Sequence, residues 1–194
     1  MRGLALLVLC TVLLCCLHAD TAPPGIAFAF NDDIVPLSDK THPDYAAALS
    51  RFQNAMLNAH NAKRAECGAN PLTLISSLNT ASQAYAEQLL QQGIFRHDSN
   101  RGPVGENLAM NTASRWADAQ PLADLYLQFF NLILTEDPQN TWAVSMWNEE
   151  QNNYDQNTGL QIDPSGMPVG HFTQNVWKST TMLGCGIAAK TNPV

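Results

Sequence analysis

The chain has 194 residues, 17 acidic against 10 basic side chains and a formal net charge of −7, with 45% hydrophobic and 14% charged residues. That balance suits a folded globular chain and excludes an intrinsically disordered one. No Lys/Arg cluster is present to neutralise phosphates, which excludes a nucleic-acid backbone as partner and leaves no polybasic attraction to anionic lipid.

Residues 1–19 read as a secretory signal peptide. Arg2 supplies the positive start, and Gly3 to Leu17 is a nearly unbroken apolar run, shorter than a membrane-spanning helix needs. Cleavage is expected after Ala19, with Ala22 the second choice. No second apolar segment of that kind follows, so the expectation is a secreted, extracellular protein with no membrane span. About 175 residues then remain, enough for one well-buried domain. Cleavage removes Cys10, Cys15 and Cys16 and leaves Cys67 and Cys185. In an oxidising compartment two remaining thiols are expected to pair, with each other or with another thiol; two buried free thiols are the other reading. No Asn-x-Ser/Thr sequon occurs.

Residues 20–40 carry Pro and Asp without helical period and read as an extended leader to a domain spanning 41–194. Thr41 is an N-cap candidate for a first helix running to about Glu66, in which Tyr45, Leu49, Phe52, Met56 and Ala59 form one apolar face. Cys67-Gly68 and Asn70-Pro71 stop it. A second helix is predicted over 77–92, with Leu78, Ala81, Tyr85 and Leu89 inward and Gly93 as terminator. A loop with Gly102-Pro103 and Gly105 leads into a short strand-like stretch. A third helix begins near Pro121, apolar almost all round, and Asp137-Pro138 breaks it. A fourth takes Thr141 to about Tyr154, with Val144, Trp147 and Gln151 on one side. Residues 155–170 are loop. His171 to Trp177 alternates and is rich in β-formers, and Leu183 to Ala188 is small and apolar; the pattern predicts two antiparallel strands across a Lys178–Met182 turn. Helices first and strands late indicate an α+β fold.

Common local catalytic signatures such as the P-loop, HExxH and GxSxG are missing. Four histidines follow the signal segment, and on spacing alone none stands out from a structural imidazole. Their neighbours do. His60-Asn61-Ala62-Lys63-Arg64, Arg96-His97-Asp98-Ser99 with Gly105-Glu106-Asn107-Leu108-Ala109, Trp147-Asn148-Glu149-Glu150 with Tyr154, and Gly170-His171-Phe172-Thr173-Gln174-Asn175-Val176-Trp177 with Thr181 and Gly184-Cys185 stand in one order along the chain. Together they resemble the motifs of the CAP superfamily, the cysteine-rich secretory, antigen 5 and pathogenesis-related proteins, over roughly residues 45–188.

The resemblance implies a three-layer α-β-α sandwich and a shallow cleft holding His97, Glu106, Glu150 and His171, with Glu149 the competing carboxylate at the third position. Two imidazoles suit zinc or another divalent metal, with a carboxylate completing the shell or orienting a water. Three readings of the cleft stand side by side: a purely structural hydrogen-bonded network, a weak divalent site that assists partner binding, and a metal-dependent hydrolase, a protease above all, with a Glu as general base. The favoured function is a non-catalytic module that binds a sterol or fatty acid, or an extracellular protein receptor. Leu125, Phe129, Phe130 and Leu132 on the apolar third helix would wall a lipid groove; a buried core helix is the other reading of them. Relatives usually continue past Cys185 with a further strand and more cysteines, so the expectation is a sheet lacking its final strand, with at most a Cys67–Cys185 bridge.

Overall fold

The structure is a computed structural model that describes residues 3–10, 37, 39–113 and 142–192. The expected helix over 121–134, with Leu125, Phe129, Phe130 and Leu132, lies outside the described residues, and so do most of the expected leader and the signal-cleavage sites. The element order is β1 (Gly3–Cys10), α1 (Tyr45–Glu66), β2 (Thr73–Leu74), α2 (Ser76–Gln92), β3 (Asn107–Ala113), α3 (Trp142–Glu149), β4 (Tyr154–Asp155), β5 (Leu160–Gln161), α4 (Gly170–Asn175), β6 (Met182–Leu183) and β7 (Gly186–Asn192). Mixed helix and strand make the fold α+β, as the sequence order indicates.

The first helix shows why its register is fixed. Ala48, Phe52, Met56, His60 and Arg64 recur at steps of four and are all buried. The apolar face therefore ends in two polar residues, where a pattern read for hydrophobicity stops at Ala59. Thr41 does not cap this helix; its amide and hydroxyl both donate to Asp39 Oδ1, at 2.8 and 2.7 Å. At the other end the Ala69 amide donates to Arg64 O at 2.8 Å, and Gly68 takes the left-handed conformation at φ 63° that this turn requires. Helix α2 closes in the same way on Gly93, φ 65°. Its buried face includes Leu89 as expected, with Ala86 beside it; Leu78 and Tyr85 are half-buried and Ala81 is exposed.

Among the described residues three sheets join these helices. In the largest the strand order is β3-β1-β7, with both pairings antiparallel, and α2 packs along β7 and β1. The backbone of β7 lies close on α2: a Cβ on Gly186 would fall 2.3 Å from the Gln83 amide nitrogen, and one on Gly184 would fall 2.3 Å from Leu78 Cβ. Strand β2 pairs in parallel with β6, and β4 pairs with β5 as a small hairpin inside the segment expected to be loop. The predicted strand over 171–177 is instead helix α4 with a turn after it. Phe172 and Asn175, three apart, are buried, and the Thr173 amide donates to Val169 O at 3.0 Å. Trp177, read as a strand residue, is 59% exposed. The predicted hairpin across 178–182 is accordingly absent; β6 turns to β2, and β7 to β1.

The two cysteines are not joined. Cys67 sits half-buried at the end of α1, its amide on Lys63 O and Arg64 O, while Cys185 is fully buried before β7 and its backbone is held by Asn79 and Gln53.

Arg64 has no exposed surface and makes no ion pair among the described residues. Its guanidinium donates to four backbone carbonyls: Nε to Asn70 at 2.7 Å, Nη1 to Asn175 at 2.9 and Trp177 at 3.1 Å, and Nη2 to Thr180 at 2.8 Å. Arg64→Ala strands all four carbonyls, each costing about 1 kcal/mol or more when left unpaired, and is expected to lower stability by about 4 kcal/mol in a urea titration.

His60, one turn earlier and 1% exposed, has its pKa lowered from 6.5 to about 4, chiefly by burial and partly offset by its bond to Met56 O. An imidazole whose folded pKa is depressed stabilises the fold fully above the unfolded value and loses that contribution as pH falls toward the folded one. Between pH 6.5 and about 4 the His60 contribution is thus expected to fall by about 3 kcal/mol. His60→Leu should flatten that part of the stability–pH curve relative to the parent.

Candidate functional site

Two histidine–glutamate pairs make up the site. Glu106 stands just before β3, and its Oε1 accepts from His97 Nδ1 at 2.5 Å and from the Asp98 amide at 3.0 Å. Glu150 begins the 3₁₀ turn that follows α3. Its Oε1 accepts from His171 Nδ1 at 2.6 Å, and its Oε2 accepts from the amides of His171 and Phe172 at 2.9 and 3.0 Å. Those two amides lie in the first turn of α4, where a helix has no internal partner for them. Glu150 is thus at once the cap of α4, supplied from 21 residues away, and the orienter of its imidazole.

The chemistry follows from these bonds. An ionised carboxylate only accepts, so Nδ1 carries the proton in both rings, and Nε2 is the nitrogen these bonds leave unused. Exposure divides the pairs in the same sense: the Glu106 and Glu150 side chains are 8% and 7% exposed, those of His97 and His171 55% and 33%. Carboxylates face inward, and imidazoles meet solvent.

Further contacts fix each ring. Trp147 stacks on His171 with centroids 5.8 Å apart and planes 16° from parallel. Asn107, the residue after Glu106, donates Nδ2 to His171 O at 3.0 Å and to Asn175 Oδ1 at 2.9 Å, so the two pairs are linked through one buried amide. Asn175 in turn donates to Asn148 Oδ1 at 3.1 Å. Near the other pair, the Tyr85 hydroxyl donates to Arg96 O at 2.9 Å, and burial together with the nearby Glu106 and Asp98 charges raises its pKa. Gln174 lies against Gly105, where a Cβ would fall 2.1 Å from Gln174 Oε1, so a larger residue there would displace the end of the Gln174 side chain.

His97, Glu106, Glu150 and His171 thus stand as two His–Glu pairs and do not form one ligand shell. Among the described residues no group of three or more His, Cys, Asp or Glu is placed to hold a metal ion. Each carboxylate is engaged by its own imidazole and by backbone amides, which makes it an outer-shell partner rather than a ligand. The atoms these bonds leave unused are the two Nε2 atoms and Glu106 Oε2, whereas a firm zinc site gathers three or four protein ligands in one shell. The competing Glu149 is exposed. Sequence reading missed Asn107, Asn148 and Asn175 as the connecting amides, although all three stand inside the quoted motifs. Leu125, Phe129, Phe130 and Leu132 lie outside the described residues.

Glu150→Gln replaces one acceptor oxygen by a donor and is expected to cost about 2 kcal/mol by loss of the α4 cap. Imidazole ¹⁵N spectra at neutral pH should show the His171 ring as the Nδ1–H form in the parent and as a tautomer mixture in the variant.

With this geometry in hand, comparison with known proteins gives the following. The family model described as "CAP: Cysteine-rich secretory protein family" matches residues 57–193. A probable pathogenesis-related protein of Candida albicans is 36% identical over 137 residues, 71% of this chain and 32% of that protein, so the chain spans about a third of its length. The Golgi-associated plant pathogenesis-related protein 1 of Homo sapiens is 34% identical over 149 residues, covering 75% of this chain and 79% of that one. The basic form of pathogenesis-related protein 1 of Nicotiana tabacum is 30% identical over 151 residues, 74% and 67% of the two chains.

Proposed function

Because this chain belongs to the cysteine-rich secretory protein (CAP) family, we propose that it is a secreted, non-catalytic binding module. The observation that carries the proposal is the engagement of Glu150, whose two oxygens hold both the His171 ring and the start of α4. A general base needs an oxygen open to water, yet Glu150 already accepts three hydrogen bonds. Glu106 accepts two on Oε1 and is 8% exposed. What the site offers to a partner is two oriented imidazole edges, that of His171 backed by Trp147.

The partner classes are a sterol or fatty acid, received along Leu125, Phe129, Phe130 and Leu132, or an extracellular protein receptor. A divalent metal such as zinc would be held by His97 and His171 through Nε2, with water or the partner completing its coordination. In that state it would supply a bridge to the partner. The secreted state rests on the leader-like residues 1–19; among the described residues no helix is long and apolar enough to cross a membrane.

Titration of the purified full chain with radiolabelled cholesterol and with a long-chain fatty acid tests the lipid class. Saturable binding that falls about ten-fold in Phe129→Ala/Phe130→Ala, roughly the loss of two buried contacts, is the expected result. A folded sample that binds neither lipid would direct the search to a protein receptor. The alternative, a metal-dependent protease, predicts casein hydrolysis with added zinc that disappears in His97→Ala and His171→Ala; no hydrolysis by the folded parent removes it.

A further inference from the structure

The largest sheet carries a feature independent of the His/Glu site. Strand β1 lies between β3 and β7 and is antiparallel to both. Its registers run from Leu4↔Ala113 to Cys10↔Asn107 on one side and from Gly3↔Asn192 to Leu9↔Gly186 on the other. Strands β3 and β7 are not neighbours in this sheet; it is β1 that joins them.

The opposite edge of β7 is closed by side chains. Gln83 on α2 donates Nε2 to Ile187 O at 2.7 Å and accepts the Ile187 amide on Oε1 at 2.9 Å. Just before β7, Asn79 Oδ1 accepts the Cys185 amide at 2.8 Å, and Gln53 Nε2 donates to Cys185 O at 3.0 Å. These carboxamides do what a neighbouring strand would do at Cys185 and Ile187. Strand β7 thus has one edge engaged at its start by helices α1 and α2 and one edge that takes a strand. The occupant of that edge reads Gly-Leu-Ala-Leu-Leu-Val-Leu-Cys, apolar at alternate and intervening positions alike, the pattern of a strand covered on both faces. It is also part of the segment whose composition marks it for removal after Ala19.

We propose that the interval between β3 and β7 is a strand-acceptor groove that takes an extended apolar segment antiparallel to both walls. In the uncut chain the occupant is Gly3–Cys10. Once that segment leaves, the occupant is an apolar strand of a partner polypeptide, bound by main-chain hydrogen bonds to two walls at once.

The test uses the full chain with a specific protease sequence inserted after Ala19 and cut once the protein has folded. The expected result is that fragment 1–19 stays with the body on gel filtration. A labelled peptide of residues 3–10, with Cys10→Ser, should replace it saturably at one per chain. The same peptide carrying Leu7→Pro, which lacks a mid-strand amide donor, should bind about ten-fold or more weaker. Amide hydrogen exchange should slow in both 107–113 and 186–192 when the peptide binds. A body that loses the fragment, keeps its circular dichroism and binds neither peptide overturns the proposal. If the body unfolds on losing the fragment, the uncut chain decides: Leu7→Pro there must speed exchange in 107–113 and 186–192 together, and an unchanged rate in either segment overturns it.

Discussion

A buried guanidinium governs how the parts of this protein meet. Arg64 ends the inward row of α1, and no carboxylate among the described residues pairs with it. Its charge is solvated instead by four carbonyls, one from the turn after α1 and three from residues 175–180. Such a charge is tolerated only where every donor is met, since a buried ion without partners costs several kcal/mol. The planar fork therefore sets the position of the chain from Asn175 to Thr180 relative to α1 within hydrogen-bond tolerance, which a point charge on a lysine stem would not do. Because α4 ends at Asn175, the helix that carries His171 is held at its far end by the first helix of the domain.

At its near end α4 is held by Glu150. A six-residue helix is too short to persist on its own propensity, so both ends need tertiary support. Glu150 meets two first-turn amides and, with its other oxygen, the His171 ring. The imidazole is thus pinned by the same group that makes its helix possible, and Trp147 covers one of its faces. His97 has no helix to stabilise; Glu106 holds the ring and the following amide, and Asn107 carries the connection to α4. Arg64, Glu150 and Asn107 together make the site one polar network of main-chain carbonyls, carboxylates and amides rather than a set of independent ligands.

This explains what could be read from the sequence. Helices α1 and α2 were legible because their faces repeat at three and four and a left-handed glycine stands at or beside each exit. The site residues were legible through the motifs that surround them, and all four fall in the two pairs. Residues 171–177 misled because alternation and β-formers signal a strand locally, while the cap that makes 170–175 helical comes from Glu150, remote in sequence. The division into two pairs was invisible for a similar reason: a carboxylate's role as ligand or orienter depends on which donors the fold has already brought to it. Polar His60 and Arg64 continuing the inward face of α1 could not be anticipated from a hydrophobic pattern, since Arg64 is buried on carbonyls from the turn after α1 and from residues 175–180, while His60 is met by the Met56 carbonyl one turn back.

The same distribution of bonds bears on the kind of work the site can do. Catalytic carboxylates are left with a lone pair facing the reacting atom, and the fold supports them from behind. Here the support and the carboxylate are the same group. Withdrawing Glu150 from its three donors to activate a water would uncap α4, release the His171 ring and disturb the segment that Arg64 fixes. The imidazoles, by contrast, are oriented, partly exposed and free of structural duty at Nε2. Rigid donors and acceptors presented at a surface over a polar network of this kind lower the ordering cost of meeting a partner, which is the property of a recognition face.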